Sequence, residues 1–322
     1  MRSARWLGLL ALYVGAQAVG LALADPFRSA GLASTSNAQS VAAPLEIIVL
    51  IVAAPLAILF VARRRGGLVA IRQLILLAIA GALYFTLFAT FSLVLPPPYL
   101  PPPYGAELVL YPALVAAGTL SAALYLALLM EPQWYIVDLV GFLAAGSLIA
   151  ILGISFAILP AFILLGALLV YDAIAVYGTK HMVSLAEVVT DMKLPILMVM
   201  PDSAGYDYTA APSLAVQRTQ PTEERAAMFM GLGDVVIPGT LVASALVWLP
   251  SSPHVLGLGA NLVLALATLV GSLVGYGVLM GLVLRGNPQA GLPLLNGGAM
   301  VGYVIAYVLV FRSYGFGFSG AL

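Results

Sequence analysis

Apolar runs of the length that crosses a bilayer, roughly 20 residues, recur along most of the chain. Nine can be read: Arg5–Ala24, Ala43–Ala62, Leu74–Leu95, Leu108–Met130, Tyr135–Phe156, Ala157–Gly178, Gly231–Leu249, Leu258–Leu284 and Leu292–Arg312. The fifth and sixth adjoin around Ser155–Pro160. The first resembles a cleavable signal peptide in having Arg2 and Arg5 ahead of an apolar stretch that ends in Ala22-Leu23-Ala24. Its apolar core is long for that role, which favours a retained helix.

The polar positions give sidedness. Arg2 and Arg5 precede the first run; Arg63, Arg64, Arg65 and Arg72 follow the second; Lys180, Lys193, Arg218 and Arg225 lie between the sixth and seventh; Arg285 lies between the eighth and ninth. Only Arg28 and Arg312 fall on the other side, so 11 of 13 cations share one face, the positive-inside pattern. The N-terminus is expected in the cytoplasm and the C-terminus outside, in a multi-pass protein of the cell membrane. This predicts an all-α fold with about nine transmembrane helices in one structural unit. A bundle spans 1–179, a cytoplasmic loop 180–230 and a second bundle 231–322.

Within the loop, His181–Met192 has the spacing of a surface helix, Leu194–Met200 suits a short strand, and Pro201–Glu224 is expected to be mobile. Pro96–Tyr104, with two runs of three prolines, reads as an external polyproline spacer.

Composition narrows the chemistry. The residues are 62% hydrophobic and 8% charged, with zero net charge, which excludes a water-solvated globule and a nucleic-acid partner. There is no cysteine, so disulfides, thiolate metal sites and Cys nucleophiles are out. His181 and His254 lie outside the apolar runs and read as interfacial. Glu46 and Asp138 sit near run ends, where an anchoring role is the simpler reading.

Asp172 and Asp234 differ, because each is inside a run, where an ionisable group by default signals function. Asp172 is eight residues before Lys180, about 12 Å inside the boundary if helical. Asp234 is nine residues after Arg225, at most about 14 Å inside. The two runs are antiparallel, so the levels match. No intramembrane Lys or Arg is at hand, and the cheapest arrangement is a pair sharing one proton. Such a dyad can hold a water, one carboxylate acting as base and the other as acid, with no cofactor or metal. Gly231 and Gly233 allow a close backbone approach beside Asp234, or are ordinary small-residue packing. Pro238, four residues on, cannot donate to the carbonyl of Asp234 and loosens the helix there.

Tyr171-Asp172 and Gly231-Leu232-Gly233-Asp234 resemble the paired YD and GxGD motifs of the presenilin and signal peptide peptidase family. Gly291-Leu292-Pro293-Leu294-Leu295-Asn296 resembles its PAL motif, with Leu294 in place of the alanine. Lys193–Pro201 is similar to the stretch after the sixth helix in signal peptide peptidases. The short loops are most like those of archaeal or bacterial presenilin homologues. The resemblance implies an aspartic endopeptidase that cuts single-pass membrane proteins within the bilayer, with Asp172 and Asp234 catalytic. It implies support from Tyr171, Gly231 and Gly233, and substrate contacts at Leu232, Pro293, Leu294 and Leu295. Tyr171 has packing as its other reading. A proton- or ion-coupled carrier built on the same aspartates is the alternative, although no inverted repeat is visible. A prepilin-peptidase-like enzyme and a non-catalytic helper are further rivals. A homo-oligomer is left open.

Overall fold

The computed structural model describes residues 2–62, 66–94, 111–178, 192–203, 205–210, 226–284 and 289–318. The polyproline segment, His181 and the rest of the expected surface helix up to residue 191 lie outside them; Met192 is described, as a buried turn residue. So do Arg63, Arg64, Arg65, Lys180, Arg218, Arg225 and Arg285.

Nine helices occur among the described residues: α1 (Arg2–Ser29), α2 (Ala42–Ala62), α3 (Gly67–Val94), α4 (Tyr111–Met130), α5 (Trp134–Ser155), α6 (Ile158–Ala173), α7 (Leu232–Trp248), α8 (Ala260–Val283) and α9 (Leu292–Phe311). Seven are long and apolar enough to cross a membrane, while the apolar stretches of α2 and α7, Ala42–Ala54 and Leu232–Trp248, are shorter. For α7 the reason is visible. The residues ahead of it form a strand, so its 17 residues reach only about 25 Å, short of the roughly 30 Å hydrocarbon core.

Helix α1 packs into the bundle. Leu9, Tyr13 and Ala16 are fully buried, the Tyr13 hydroxyl pairs with Ser272 of α8, and Tyr276 of α8 donates to the Trp6 carbonyl at 2.8 Å. Helix α7 is the innermost element, in contact with α1, α5, α6, α8 and α9. Helices α8 and α9 meet along two glycine pairs four residues apart. A Cβ at Gly275 would run into the Leu294 carbonyl, and one at Gly298 into the Gly271 carbonyl. Small residues at this spacing let helix backbones touch, which is how helices associate where lipid is as apolar as leucine.

Strands β1 (Leu197–Pro201) and β2 (Ala227–Gly231) form an antiparallel ribbon in the register Leu197↔Gly231 through Pro201↔Ala227. The strand expected over Leu194–Met200 thus begins at Leu197, because Lys193 takes a left-handed turn at φ 53° and Pro195 follows it. A second, smaller ribbon pairs β3 (His254–Val255) with β4 (Leu258–Gly259) ahead of α8; His254 on it is exposed.

Two sequence expectations are corrected here. Asp138 is no interfacial anchor: it is buried, and its Oδ1 accepts the Val199 N–H at 2.6 Å, so α5 pins β1. Glu46, in contrast, is exposed. Part of the loop expected to be mobile is packed: Tyr208 is fully buried against Phe229, with the Lys193 ammonium 4.5 Å from its ring centre. An apolar ring with a cation on its face gains burial and electrostatic attraction together.

Candidate active site

Three chain segments converge at the inner end of α7. The first is the end of α6, where Asp172 is 7% exposed and the helix widens into a π turn over Ile174–Gly178. The second is the β2–α7 junction. Gly231 is both the last residue of β2 and the N-cap of α7, which puts Asp234 in the third helical position. There its carboxylate reaches back to the Gly231 N–H, the carboxylate half of a capping box. The third is the start of α9, with Gly291 as N-cap and Pro293 in the first turn.

Both aspartates rest on that third segment. Leu292 donates its N–H to Asp172 Oδ2 at 3.1 Å, and the Gly291 N–H also reaches Asp172. A Cβ at Gly291 would sit 2.8 Å from Asp234 Oδ1 and 2.9 Å from its Cγ, so only glycine leaves room for that carboxylate. The two acids are near enough to act on each other electrostatically. The donors that steady them belong to backbone. The first N–H groups of a helix have no partner in their own helix, and its N-terminus carries partial positive charge. Here α7 offers that end to Asp234 and α9 offers its own to Asp172. This replaces the Lys or Arg that the apolar runs lack.

The other expected residues fall as follows. Tyr171 is half-buried and packs against the core shared by α6, α7 and α9. The Leu232 side chain is buried against Gly141 of α5, and its N–H donates to the Ile196 carbonyl at 3.0 Å. No described backbone approaches Gly231 or Gly233 closely as expected; the tight glycine of the site is Gly291, and its neighbour is the Asp234 side chain. Asp234 is the only described neighbour of a Cβ at Gly231, and a Cβ at Gly233 would meet none within 4 Å. Leu294 is half-buried, with its carbonyl on Gly275. Leu295 and Asn296 are fully buried, and Asn296 Nδ2 donates to the Leu165 carbonyl of α6 at 3.0 Å.

Sequence reasoning passed over a polar group behind α7. Gln17 of α1 donates to the Val235 carbonyl at 2.9 Å, and Tyr13, one turn earlier, lies close enough to Asp234 to feel its charge. Together they brace the turn that Pro238 loosens. Gln17, a fully buried polar group in an apolar run, was the available signal.

The chain matches the family model "Signal-peptide peptidase, presenilin aspartyl protease" over residues 10–312. Two solved structures of a presenilin family intramembrane aspartate protease are similar to it. One, in space group C222, has a TM-score of 0.64 at 30% identity and covers 94% of this chain and 99% of the other. One in space group P2 has a TM-score of 0.61 at 33% identity, over 94% and 97%. No curated protein sequence matches. Nothing in these likenesses supports the carrier reading. Convergence of the YD, GxGD and PAL-like segments on one place, with a family match across nearly the whole length, shows that this chain belongs to the signal-peptide peptidase and presenilin family of intramembrane aspartyl proteases.

Proposed function

We propose that Asp172 and Asp234 form the catalytic pair of this protease and that its substrates are single-pass membrane proteins, cut within their spanning helices. The observation that carries this reading is the seating of both carboxylates on one dipeptide, Gly291-Leu292. The pair shares one proton. The ionised carboxylate takes a proton from a water, which attacks the scissile carbonyl, and the protonated one gives its proton to the carbonyl oxygen. Collapse of the tetrahedral diol breaks the C–N bond as the amine takes up a proton, and the pair returns to its starting state. Tyr171 borders the site as a supporting residue.

A helical substrate hides its carbonyls in its own hydrogen bonds, and unwinding it in lipid exposes groups at several kcal/mol each. Adding it as a strand satisfies them. The ribbon's register says which edge is suited. Ile196 accepts from Leu232 and Ala226 from Asp202, so alternation puts Met198 and Met230, and Met200 and Met228, in mutual bonds. Val199 points the other way, but Asp138 occupies its N–H. On β2 the groups of Ala227 and Phe229 point away from β1, and the strand runs straight into Asp234. The substrate pairs along β2, with Pro293 and Leu294 along its far side and the fully buried Leu295 supporting them from behind, and the space beside Gly233 takes its side chain.

The cation bias supports a cytoplasmic N-terminus and an external C-terminus in the cell membrane. Single cysteines introduced into this cysteine-free chain report that sidedness by labelling. The decisive experiment for function incubates the purified protein in detergent with a single-pass substrate, beside Asp172→Ala and Asp234→Ala. Mass spectrometry should find a cut inside the substrate's membrane segment, lost in both variants. A well-folded wild type that cuts none of several substrates would refute the reading.

A further inference from the structure

Beyond the two acids, one side chain stands out by what its hydroxyl touches. Tyr177 lies in the π turn Ile174–Gly178 that ends α6. Its hydroxyl donates to Gln289 Oε1 at 2.9 Å and accepts the Ala290 N–H at 3.2 Å. Both capacities of the hydroxyl are therefore spent on the two residues that lead into Gly291 and Leu292. A residue five places after Asp172 would stand about 140° around an ordinary α-helix from it. The wider π turn, with i→i+5 bonding, changes that offset, and Tyr177 and Asp172 end on the same short segment. That segment is held to the end of α6 at four points: the Gln289 side chain and the Ala290, Gly291 and Leu292 N–H groups. Yet Tyr177 is 56% exposed, so it is not there to fill a core.

We propose that Tyr177 is a positioning residue, whose hydroxyl sets the height of the Ala290–Leu292 turn over Asp172 and Asp234. It touches neither the substrate nor the reacting atoms. It acts through Gly291, where even a Cβ would fall 2.8 Å from Asp234 Oδ1, so a small shift of the turn moves one acid relative to the other. Misplacement of about 1 Å in a site of this kind costs up to about a hundredfold in rate. The proposal rests on the reading of Asp172 and Asp234 as the catalytic pair.

The test measures kcat and KM for a single-pass substrate with wild type, Tyr177→Phe, Gln289→Leu and the double variant. Inhibition by a peptide isostere carrying a hydroxyl at the scissile position is measured alongside. Tyr177→Phe should lower kcat by roughly tenfold or more, with KM within about twofold of wild type. Isostere affinity should fall by the same factor as kcat, since it mimics the transition state. Gln289→Leu should lower kcat in the same direction, and the double variant should be no worse than Tyr177→Phe. An unchanged kcat, an effect on KM alone, or a loss matched by a smaller folded fraction would each overturn the proposal. Asp234→Ala runs in parallel: a wild type that cleaves and an inert Asp234→Ala keep the catalytic pair standing whatever Tyr177 does, and a wild type that does not cleave overturns both.

Discussion

The Leu292 N–H reaches Asp172 Oδ2 across 3.1 Å, joining the first residue of α9 to an acid on α6. A helix N-terminus has donors to spare, and Pro293, the next residue, has none to give. Asp172→Asn keeps an oxygen for Leu292 but cannot serve as a base. It should leave the thermal transition in detergent nearly unmoved and reduce cleavage by at least about a thousandfold, read by mass spectrometry of the products.

Gly291→Ala tests the other acid without touching it. The added methyl carbon would fall 2.8 Å from Asp234 Oδ1, too close to stand, so the carboxylate or the turn must move. Cleavage should drop by about a hundredfold in a protein that still elutes as wild type on size exclusion.

Gly275→Val addresses the support beneath that turn. The new side chain would meet the Leu294 carbonyl and lie about 3.2 Å from Leu295 Cα, both backbone atoms that cannot rotate away. Overpacking of this kind costs about 1–3 kcal/mol. A lowered unfolding temperature together with lost cleavage is expected, unlike the Gly291 variant.

Asp138 serves β1 rather than the chemistry. Asp138→Leu leaves the buried Val199 N–H without its acceptor, at a cost of about 1–3 kcal/mol, while Asp138→Asn retains one. Amide exchange at Val199 should accelerate in the first and stay near wild type in the second, with activity following the same order.

Asp207 gives a pH dependence outside the membrane helices. The Thr209 hydroxyl, then Gln133 and the Thr209 N–H, hold its carboxyl below the ordinary value of 3.8. A lowered folded value means the ionised form is the one bound. The contribution is present above the unfolded value and is lost as pH falls through the folded one. Amide exchange at Thr209 should accelerate only on acidification past 3.8, and Asp207→Asn should flatten that response.

Much of this architecture was legible in advance. The runs located the helices, and Asp172 and Asp234 stood out because a carboxylate among Leu and Val has no bland explanation. Other features were hidden for physical reasons. Gly271, Gly275, Gly298 and Gly302 show their spacing in the sequence, but which helices they join is a tertiary fact. Tyr177 drew no notice, because its contact with Gln289 and Ala290, more than a hundred residues away, is a tertiary fact. Asp138 looked like an anchor because a strand docking on α5 leaves no mark on α5's own pattern. The start of α7 was legible too: the run was read from Gly231, and the helix begins one residue later, at Leu232.

Gly231 ends β2 and begins α7 without a single linker residue between them. A hinge at that place would let the ribbon slide while the acid stayed still. Here the ribbon and Asp234 form one stiff gauge, its length set by three covalently joined residues. Under the proposed pairing, a substrate laid along Ala227 and Phe229 would be measured off against the acid before any bond is broken. The cut position is then a count along the chain, so inserting one residue after Gly231 should shift the cut rather than merely slow it.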